Sequence, residues 1–111
     1  MNISIEAMSP IATQLQEMQA HASEASKLLR SMANENRLMV LCSLIQGELS
    51  VKELNERIPL SQSALSQHLA YLREADLVKT RRESQTIYYQ LHGGEAIRVI
   101  EALHSIFCPE L

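Results

Sequence analysis

The apolar positions between Ile11 and Met32 recur in alternating steps of four and three residues. They are Ile11, Leu15, Met18, Ala22, Ala25, Leu29 and Met32. This spacing predicts a long helix with one narrow apolar seam, and Ser9-Pro10 just before it is a typical helix start. Such a seam packs either on the domain's own core or on a helix of a partner, and the pattern leaves both open.

A second helix is predicted from Asn34 to about Gln46. Asn34 is a favourable N-cap residue, and Gly47 is typical of the position just after a helix end. The segment between them is apolar almost all round, with Leu38, Met39, Val40, Leu41, Cys42, Leu44 and Ile45. A helix of this kind is expected at the centre of the core.

A helix-turn-helix motif is predicted next. Ser50 and Glu53 have the spacing of a capping box, so a short helix is expected to begin there and to run to about Arg57. Ile58-Pro59-Leu60 ends this helix, and Ser61 can cap the following one. Two short helices joined by three or four residues are typical of the motif.

The second helix of this motif, from about Gln62 to Ala75, is predicted to have two faces. The apolar face carries Leu65, Leu69 and Leu72. The opposite face carries Gln62, Ser63, Ser66, Gln67, Ala70 and Arg73. His68 lies beside the apolar face, where packing is the simpler expectation.

From Val78 to Leu91 the pattern changes to the period of two that is typical of strands. Glu83-Ser84-Gln85 fits a turn between two strands, and Arg81 and Arg82 lie just before it. We therefore predict a two-stranded hairpin with a basic, polar tip that leans on the helices.

A last helix is predicted from about Glu95 to Phe107, after Gly93-Gly94 interrupts the chain. Its apolar residues cover more than one face, so we expect burial both by its own core and by a second subunit. The predicted fold class is mainly α with a small β-hairpin. It is a winged helix-turn-helix of five helices and a two-stranded wing, and residues 1–111 suit a single DNA-binding domain.

Charge is unevenly distributed along the chain. The formal net charge is −3, which argues mildly against a nucleic-acid partner. Residues 61–82, however, hold four basic residues against two acidic ones. A local basic patch can bind phosphates in an acidic protein, with a modest electrostatic contribution.

The polar face of the second motif helix suits base reading in a major groove. Serine hydroxyls donate or accept hydrogen bonds, and glutamine can bind adenine with two of them. Arginines on the motif helix and the hairpin are expected on backbone phosphates. The candidate DNA-binding residues are Ser61, Gln62, Ser63, Ser66, Gln67, Arg73, Arg81 and Arg82. The alternatives are a merely solvated polar face and a helical module that binds another protein.

Other functional classes find little support in the sequence. It contains no Cys-x-x-Cys, and no Ser-His-Asp arrangement, paired-carboxylate site or glycine-rich phosphate loop stands out, so we expect no enzyme. The longest apolar run, Leu38 to Cys42, is far too short to span a membrane. The first ten residues do not resemble a signal peptide. A cytoplasmic protein without a membrane partner is the expectation.

Three stretches resemble the ArsR/SmtB family of dimeric bacterial winged-helix regulators. They are LLRSMANENRLMVLCSL, ELSVKELNERIPLSQSALSQHLAYLREADLVKTRRESQTIYYQL and HSIFC. The resemblance implies a homodimer through the first and last helices. It also implies double-stranded DNA with an inverted-repeat operator as the partner, each half-site read by one copy of Gln62 to Arg73.

Within that family the sequence is most similar to a transcriptional activator of virulence genes. This implies activation or anti-repression through competition with a nucleoid silencer protein. A repressor that responds to oxidants or persulfides is the alternative that the same resemblance offers. The residues themselves leave the operator, the target genes and the sign of regulation open.

The metal sites of the family are not matched. Where one site requires Cys-x-Cys, this chain has Ser50 and Lys52, and where the other requires several ligands on the last helix it has His104 alone. Zinc needs three or four ligands, so we expect neither a metal nor another cofactor.

Cys42 and Cys108 allow two interpretations. Free cysteines are commonly small buried hydrophobes, and nothing local marks Cys108, beside a helix C-terminus, as activated. Their positions nevertheless resemble the cysteine pair of the family's persulfide- and redox-sensing repressors. That resemblance implies a dithiol switch that shifts the helices setting the half-site spacing.

Overall fold

The computed structural model describes the backbone of residues 2–109 and the side chains of residues 12–109. This part of the chain forms α1 Asn2–Met32, α2 Glu35–Ser43, β1 Leu49–Ser50, α3 Val51–Arg57, α4 Gln62–Glu74, β2 Val78–Glu83, β3 Thr86–Leu91 and α5 Glu95–Phe107. The order confirms the mainly helical winged helix-turn-helix predicted from the sequence. The strands form one antiparallel sheet in the order β1-β3-β2.

The first helix, α1, begins at Asn2 rather than after Pro10, so the predicted start is wrong. A proline favours helix starts, but an interior proline removes one backbone hydrogen bond without necessarily ending the helix, and Glu6-Ala7-Met8 are good helix formers. Ile11, the first seam position, lies outside the described side chains. Further along the seam, Leu15, Met18 and Leu29 are exposed, whereas Met32 is buried.

The central helix, α2, is capped by Asn34 as predicted. The Oδ1 atom of Asn34 accepts hydrogen bonds from the N–H groups of Asn36 and Arg37, each at 3.0 Å. The helix ends at Ser43 rather than near Gln46. The chain tightens into turns at that point, because carbonyls three residues back take over as hydrogen-bond acceptors.

One hydrophobic cluster joins α2, α3 and α4 to the start of β2 and to α5. Its buried members are Met32, Val40, Leu41, Leu44, Leu54, Ile58, Leu65, Leu69, Leu72, Leu77, Val78, Ala96 and Ile100. α2 contributes Val40 and Leu41, and Leu44 follows at its C-cap, which agrees with its predicted place at the centre of the core.

The two helices of the motif begin at side-chain caps. Ser50 Oγ accepts a hydrogen bond from the Glu53 N–H at 3.1 Å, and Glu53 Oε1 accepts one from the Ser50 N–H at 2.8 Å. This confirms the capping box at the start of α3. At the start of α4, Ser61 Oγ accepts a hydrogen bond from the Ala64 N–H at 3.1 Å.

The sheet contains a short strand that the sequence pattern did not indicate. β1 pairs with β3, with Leu49 opposite Tyr89. It has two residues, too few to display a period of two, and leads directly into α3. The turn between β2 and β3 is Ser84-Gln85, one residue shorter than predicted, since Glu83 pairs with Thr86.

The last helix, α5, has the predicted bounds. Ala96 and Ile100 are buried in the core, whereas Ile106 and Phe107 are 64% and 76% exposed. The C-terminal end of α5 therefore presents large apolar side chains on the surface of the single chain. Within the described residues, no helix has the length and apolar character needed to cross a membrane.

Candidate nucleic-acid interface

α4 has the two faces that its sequence predicts. Leu65, Leu69 and Leu72 are buried and pack the helix on the core. The opposite face exposes Gln62, Ser63, Ser66, Gln67, Ala70 and Arg73. The side chains of Gln62, Ser66 and Gln67 make no hydrogen bond with another described residue, so their donors and acceptors are available to a ligand.

The turn before α4 is held by side chains from both motif helices. Asn55 Nδ2 donates to the Leu60 carbonyl at 2.8 Å, and Ser61 Oγ, besides capping the Ala64 N–H, lies 3.4 Å from Ser63 Oγ. Ser61, predicted as a DNA contact, is thus first a helix cap. Asn55 was not among the predicted site residues, because its partner is a backbone carbonyl across the turn and no sequence pattern marks such a contact.

Arg81 is held by two carboxylates, Glu83 on its own strand and Glu48 just before β1. Its Nε and Nη2 donate to Glu48 at 3.0 and 2.6 Å, and its Nη1 donates to Glu83 Oε1 at 3.0 Å. The guanidinium carbon lies 4.6 Å from the centre of the Tyr88 ring. The hydrogen bonds to Glu48 and Glu83 raise the pKa of Arg81, and the bond from Arg81 lowers the pKa of the Glu48 carboxyl.

Arg82 has different surroundings from Arg81. It is exposed opposite Ile87, close to the turn, and it forms no ion pair with any residue that the structure describes. The two arginines were predicted to act alike as phosphate ligands near the hairpin tip. Only Arg82 presents an uncompensated charge there. Arg73 on α4 is likewise exposed and unpaired among the described residues.

The two cysteines lie in unlike environments. Cys42 is half-buried on α2 against the core, and this burial raises the pKa of its thiol. Cys108 is exposed directly after α5, and its N–H donates to the His104 carbonyl at 2.7 Å. Both thiols are free.

Potential metal ligands are scattered. Among the side chains of residues 12–109, no three from histidine, cysteine, aspartate and glutamate lie close enough to hold a metal ion. Ser50, at a position where one family metal site requires cysteine, uses its hydroxyl in the capping box. His104 is exposed on α5.

Comparison with known proteins relates this geometry to a family. The profile of the family described as bacterial regulatory protein, arsR family, matches residues 34–80. The transcriptional activator HlyU of Vibrio cholerae is 54% identical over 94 residues, which cover 85% of this chain and 87% of that protein. The structure of reduced HlyU from Vibrio cholerae superposes with a TM-score of 0.77 at 54% identity, covering 84% of this chain and 98% of that one.

Two further solved structures are similar. The transcriptional repressor BigR from Xylella fastidiosa has a TM-score of 0.81 at 41% identity, covering 84% of this chain and 95% of that chain. The homodimeric winged helix-turn-helix DNA-binding domain of Mb0332 from Mycobacterium bovis, a possible ArsR-family regulator, has a TM-score of 0.71 at 26% identity. That match covers 85% of this chain and 87% of that chain. Similar proteins thus include an activator and a repressor.

Proposed function

Because the chain belongs to the arsR family of bacterial regulatory proteins, we propose that it is a homodimer that reads an inverted-repeat operator, one half-site for each copy of α4. Its relatives are DNA-binding transcriptional regulators rather than enzymes. In this dimer, base edges are contacted by Gln62, Ser63, Ser66 and Gln67, and backbone phosphates by Arg73 and Arg82. Each copy is a single domain over residues 1–111.

The exposed, neutral polar face of α4 carries this proposal. On a merely solvated face, glutamate and lysine would be the better helix formers. Short hydroxyls and amides instead suit base edges, and a bidentate contact such as glutamine on adenine discriminates by about 1–3 kcal/mol. The adjoining wing adds the exposed Arg82 as a cation for phosphate. A protein-interaction module would not require this combination.

For the dimer interface we propose the apolar seam of α1 together with the end of α5. Leu15, Met18 and Leu29 are between 55% and 59% exposed, and Ile106 and Phe107 are more exposed still. α1 and α5 contact each other, so these side chains belong to neighbouring helices. Exposed apolar surface of this extent is typical of a face covered in an assembly.

We propose activation as the regulatory output, exerted by displacing a nucleoid silencer from the same DNA. Competition of this kind needs only sequence-specific binding. HlyU, described as a transcriptional activator, supports the choice at 54% identity. Repression is the second candidate, favoured by BigR at 41% identity. Transcription from the bound promoter in vitro separates them: an anti-silencing protein raises it only when the silencer is present, whereas a repressor lowers it in either case.

We further propose that Cys42 and Cys108 form a dithiol switch. Two thiols would join as a disulfide while peroxide takes their two electrons and two protons and is reduced to water. This requires the two Cα atoms to come within about 7 Å of each other. Both thiols are free, and Cys108 is exposed beside the proposed dimer surface. Unchanged operator affinity after oxidation of both thiols would overturn the switch.

Footprinting of the reduced protein on promoter fragments tests the central proposal. We expect two protected half-sites related by an inverted repeat, with centres about one helical turn or a multiple of it apart. A Ser66→Ala/Gln67→Ala variant is expected to lose the footprint, whereas Ser23→Ala on the exposed side of α1 is expected to keep it. Protection without sequence preference, or a footprint unaffected by the α4 variant, would contradict base reading by α4.

A further inference from the structure

We propose that Glu48, Arg81 and Tyr88 form a clamp that sets the orientation of the wing on the helix-turn-helix. In this assignment Arg81 is a positioning residue and not a phosphate ligand. The clamp consists of the side chains of Glu48, Arg81 and Tyr88, with Glu83 as a second carboxylate on Arg81. The inference deepens the DNA-binding function proposed above and rests on it.

The clamp joins the two edges of the sheet. Arg81 belongs to the edge strand β2 and lies opposite Tyr88 on the central strand β3. Glu48 immediately precedes β1, the strand at the other edge. The guanidinium stacks on the Tyr88 ring, 4.6 Å from its centre, and reaches Glu48 with bonds of 3.0 and 2.6 Å. One side chain therefore ties β2 to the segment before β1 across the whole width of the sheet.

The carboxylate end of the clamp lies close to the start of the motif. Glu48 is two residues before Ser50, whose N–H and hydroxyl are both engaged in the capping box with Glu53. α3, which begins there, is joined to the turn before α4 by the bond from Asn55 to the Leu60 carbonyl. A wing fixed to Glu48 is thus fixed relative to both helices of the motif.

The clamp also determines which arginine of the wing is available to DNA. All three side-chain nitrogens of Arg81 donate to Glu48 or Glu83, so the charge of Arg81 is compensated twice. Arg82, the next residue, is exposed and has no ion-pair partner among the described residues. β2 therefore presents one uncompensated arginine where the sequence contains two.

Loss of the clamp is expected to loosen the wing without unfolding the protein. The side chains of Glu48 and Arg81 are 32% and 43% exposed. Ion pairs at this exposure add little to global folding stability. The wing itself is a small sheet with few buried residues, so its orientation depends more on such local ties than the core does.

Operator affinity measured over a range of salt concentrations tests the clamp in the full-length chain. We expect Glu48→Gln and Arg81→Ala each to weaken binding about two- to fivefold, in keeping with loss of an exposed ion-pair network, and to be no worse in combination. Neither is expected to change the slope of the logarithm of the association constant against the logarithm of the salt concentration. Arg82→Ala is expected to reduce the magnitude of that slope by about 1. Glu56→Gln, an exposed acid on α3, is the matched control for removing one negative charge.

If Arg81 instead bound phosphate, Glu48→Gln would have the opposite effect, because it would free Arg81 and tighten binding beyond the Glu56→Gln control. Arg81→Ala would then make operator affinity less dependent on salt. Arg81→Lys distinguishes the two roles as well. Lysine keeps the charge that a phosphate requires but cannot reproduce the two-pronged bond to Glu48, so the clamp predicts that Arg81→Lys binds almost as weakly as Arg81→Ala. Tighter binding in Glu48→Gln, or full binding in Arg81→Lys, would overturn the clamp.

Amide hydrogen exchange tests the clamp independently of DNA. If the parent protein bound no DNA, the proposed function would fail, but exchange rates in β2 and β3 would still show whether the clamp holds the wing in place. Faster exchange there in Glu48→Gln and Arg81→Ala, with Arg82→Ala unchanged and the melting temperature of all variants preserved, supports the clamp. Exchange that is the same in all four proteins overturns it.

Discussion

The guanidinium carbon of Arg37 lies 4.0 Å from the centre of the Tyr71 ring. The same side chain donates from Nε to the Ser31 carbonyl at 2.7 Å and from Nη2 to the Arg30 carbonyl at 3.2 Å. These carbonyls belong to the last turn of α1, where the Arg30 carbonyl also accepts a hydrogen bond from the Ala33 N–H at 3.3 Å, and Tyr71 belongs to α4. One side chain of α2 thus caps the proposed dimerisation helix and stacks on the proposed recognition helix.

Arg37→Ala is expected to lower the free energy of unfolding by about 1–3 kcal/mol. The variant removes a charged donor from two carbonyls together with the stack on Tyr71. Urea denaturation measures the loss, and Arg57→Ala, an exposed arginine at the end of α3, is the control. Arg37→Lys is expected to recover only part of the stability, since lysine lacks the planar fork. Equal stability of Arg37→Ala and Arg57→Ala would refute the capping role.

Ser66→Ala is expected to change stability and DNA binding in opposite directions. Ser66 is exposed in the middle of α4, where alanine is the better helix former, so the free energy of unfolding is expected to rise by about 0.5 kcal/mol. Operator binding is expected to weaken by about 1–3 kcal/mol if the hydroxyl contacts a base. Thermal denaturation and gel shift measure the two effects. Ser23→Ala on α1 is the control, expected to give the first effect without the second, and a Ser66→Ala protein with parental affinity would remove Ser66 from the reading face.

The helix-turn-helix could be predicted almost to the residue, because the interactions that set its boundaries are local. Ser50 and Ser61, which cap the two motif helices, each accept a hydrogen bond from an amide three residues further along, and such caps are readable from residue type and spacing. The faces of α4 follow equally from the helical period. The start of α1 could not be predicted in this way, since a Ser-Pro signal marks a favourable helix start without requiring one.

The wing and the candidate site could be predicted only in part, because their remaining features depend on distant residues. β1 has no pattern of its own and exists through its pairing with β3. The partner of Arg81 is Glu48, 33 residues earlier, and no period in the sequence encodes that contact. Ser84 adopts a positive φ of 60°, although Ser-Gln lacks the asparagine or glycine that usually signals such a turn. Counting charges along the chain therefore overestimates the free positive charge of the wing.

Asp76→Gly is expected to stabilise the protein by about 0.5–1 kcal/mol. Asp76 follows α4 with a φ of 61°, its N–H bonded to the Arg73 carbonyl and the Leu77 N–H to the Leu72 carbonyl, each at 3.0 Å. This pair of bonds is a Schellman motif, which ends the helix with a left-handed residue. Glycine adopts that conformation without strain, and the substitution also removes a negative charge beside the helix C-terminus. Asp76→Asn removes only the charge and is expected to gain less in a thermal melt. Greater stability of Asp76→Ala than of Asp76→Gly would contradict relief of strain as the cause.

Cys108 is expected to react with iodoacetamide well before Cys42. Alkylation requires the thiolate, and burial both raises the pKa of Cys42 and restricts access to its sulfur, whereas Cys108 is exposed. Mass spectrometry of the native protein, with Cys42→Ser and Cys108→Ser identifying each site, measures the order.

The raised pKa of Cys42 also has a consequence for stability. A folded-state pKa above the unfolded value favours the native protein below the ordinary cysteine pKa, and this advantage is lost as the pH rises through the folded-state value. The free energy of unfolding of the parent protein minus that of Cys42→Ala is therefore expected to fall in alkaline solution. A value of this difference that stays constant or rises with pH would show that Cys42 is not desolvated.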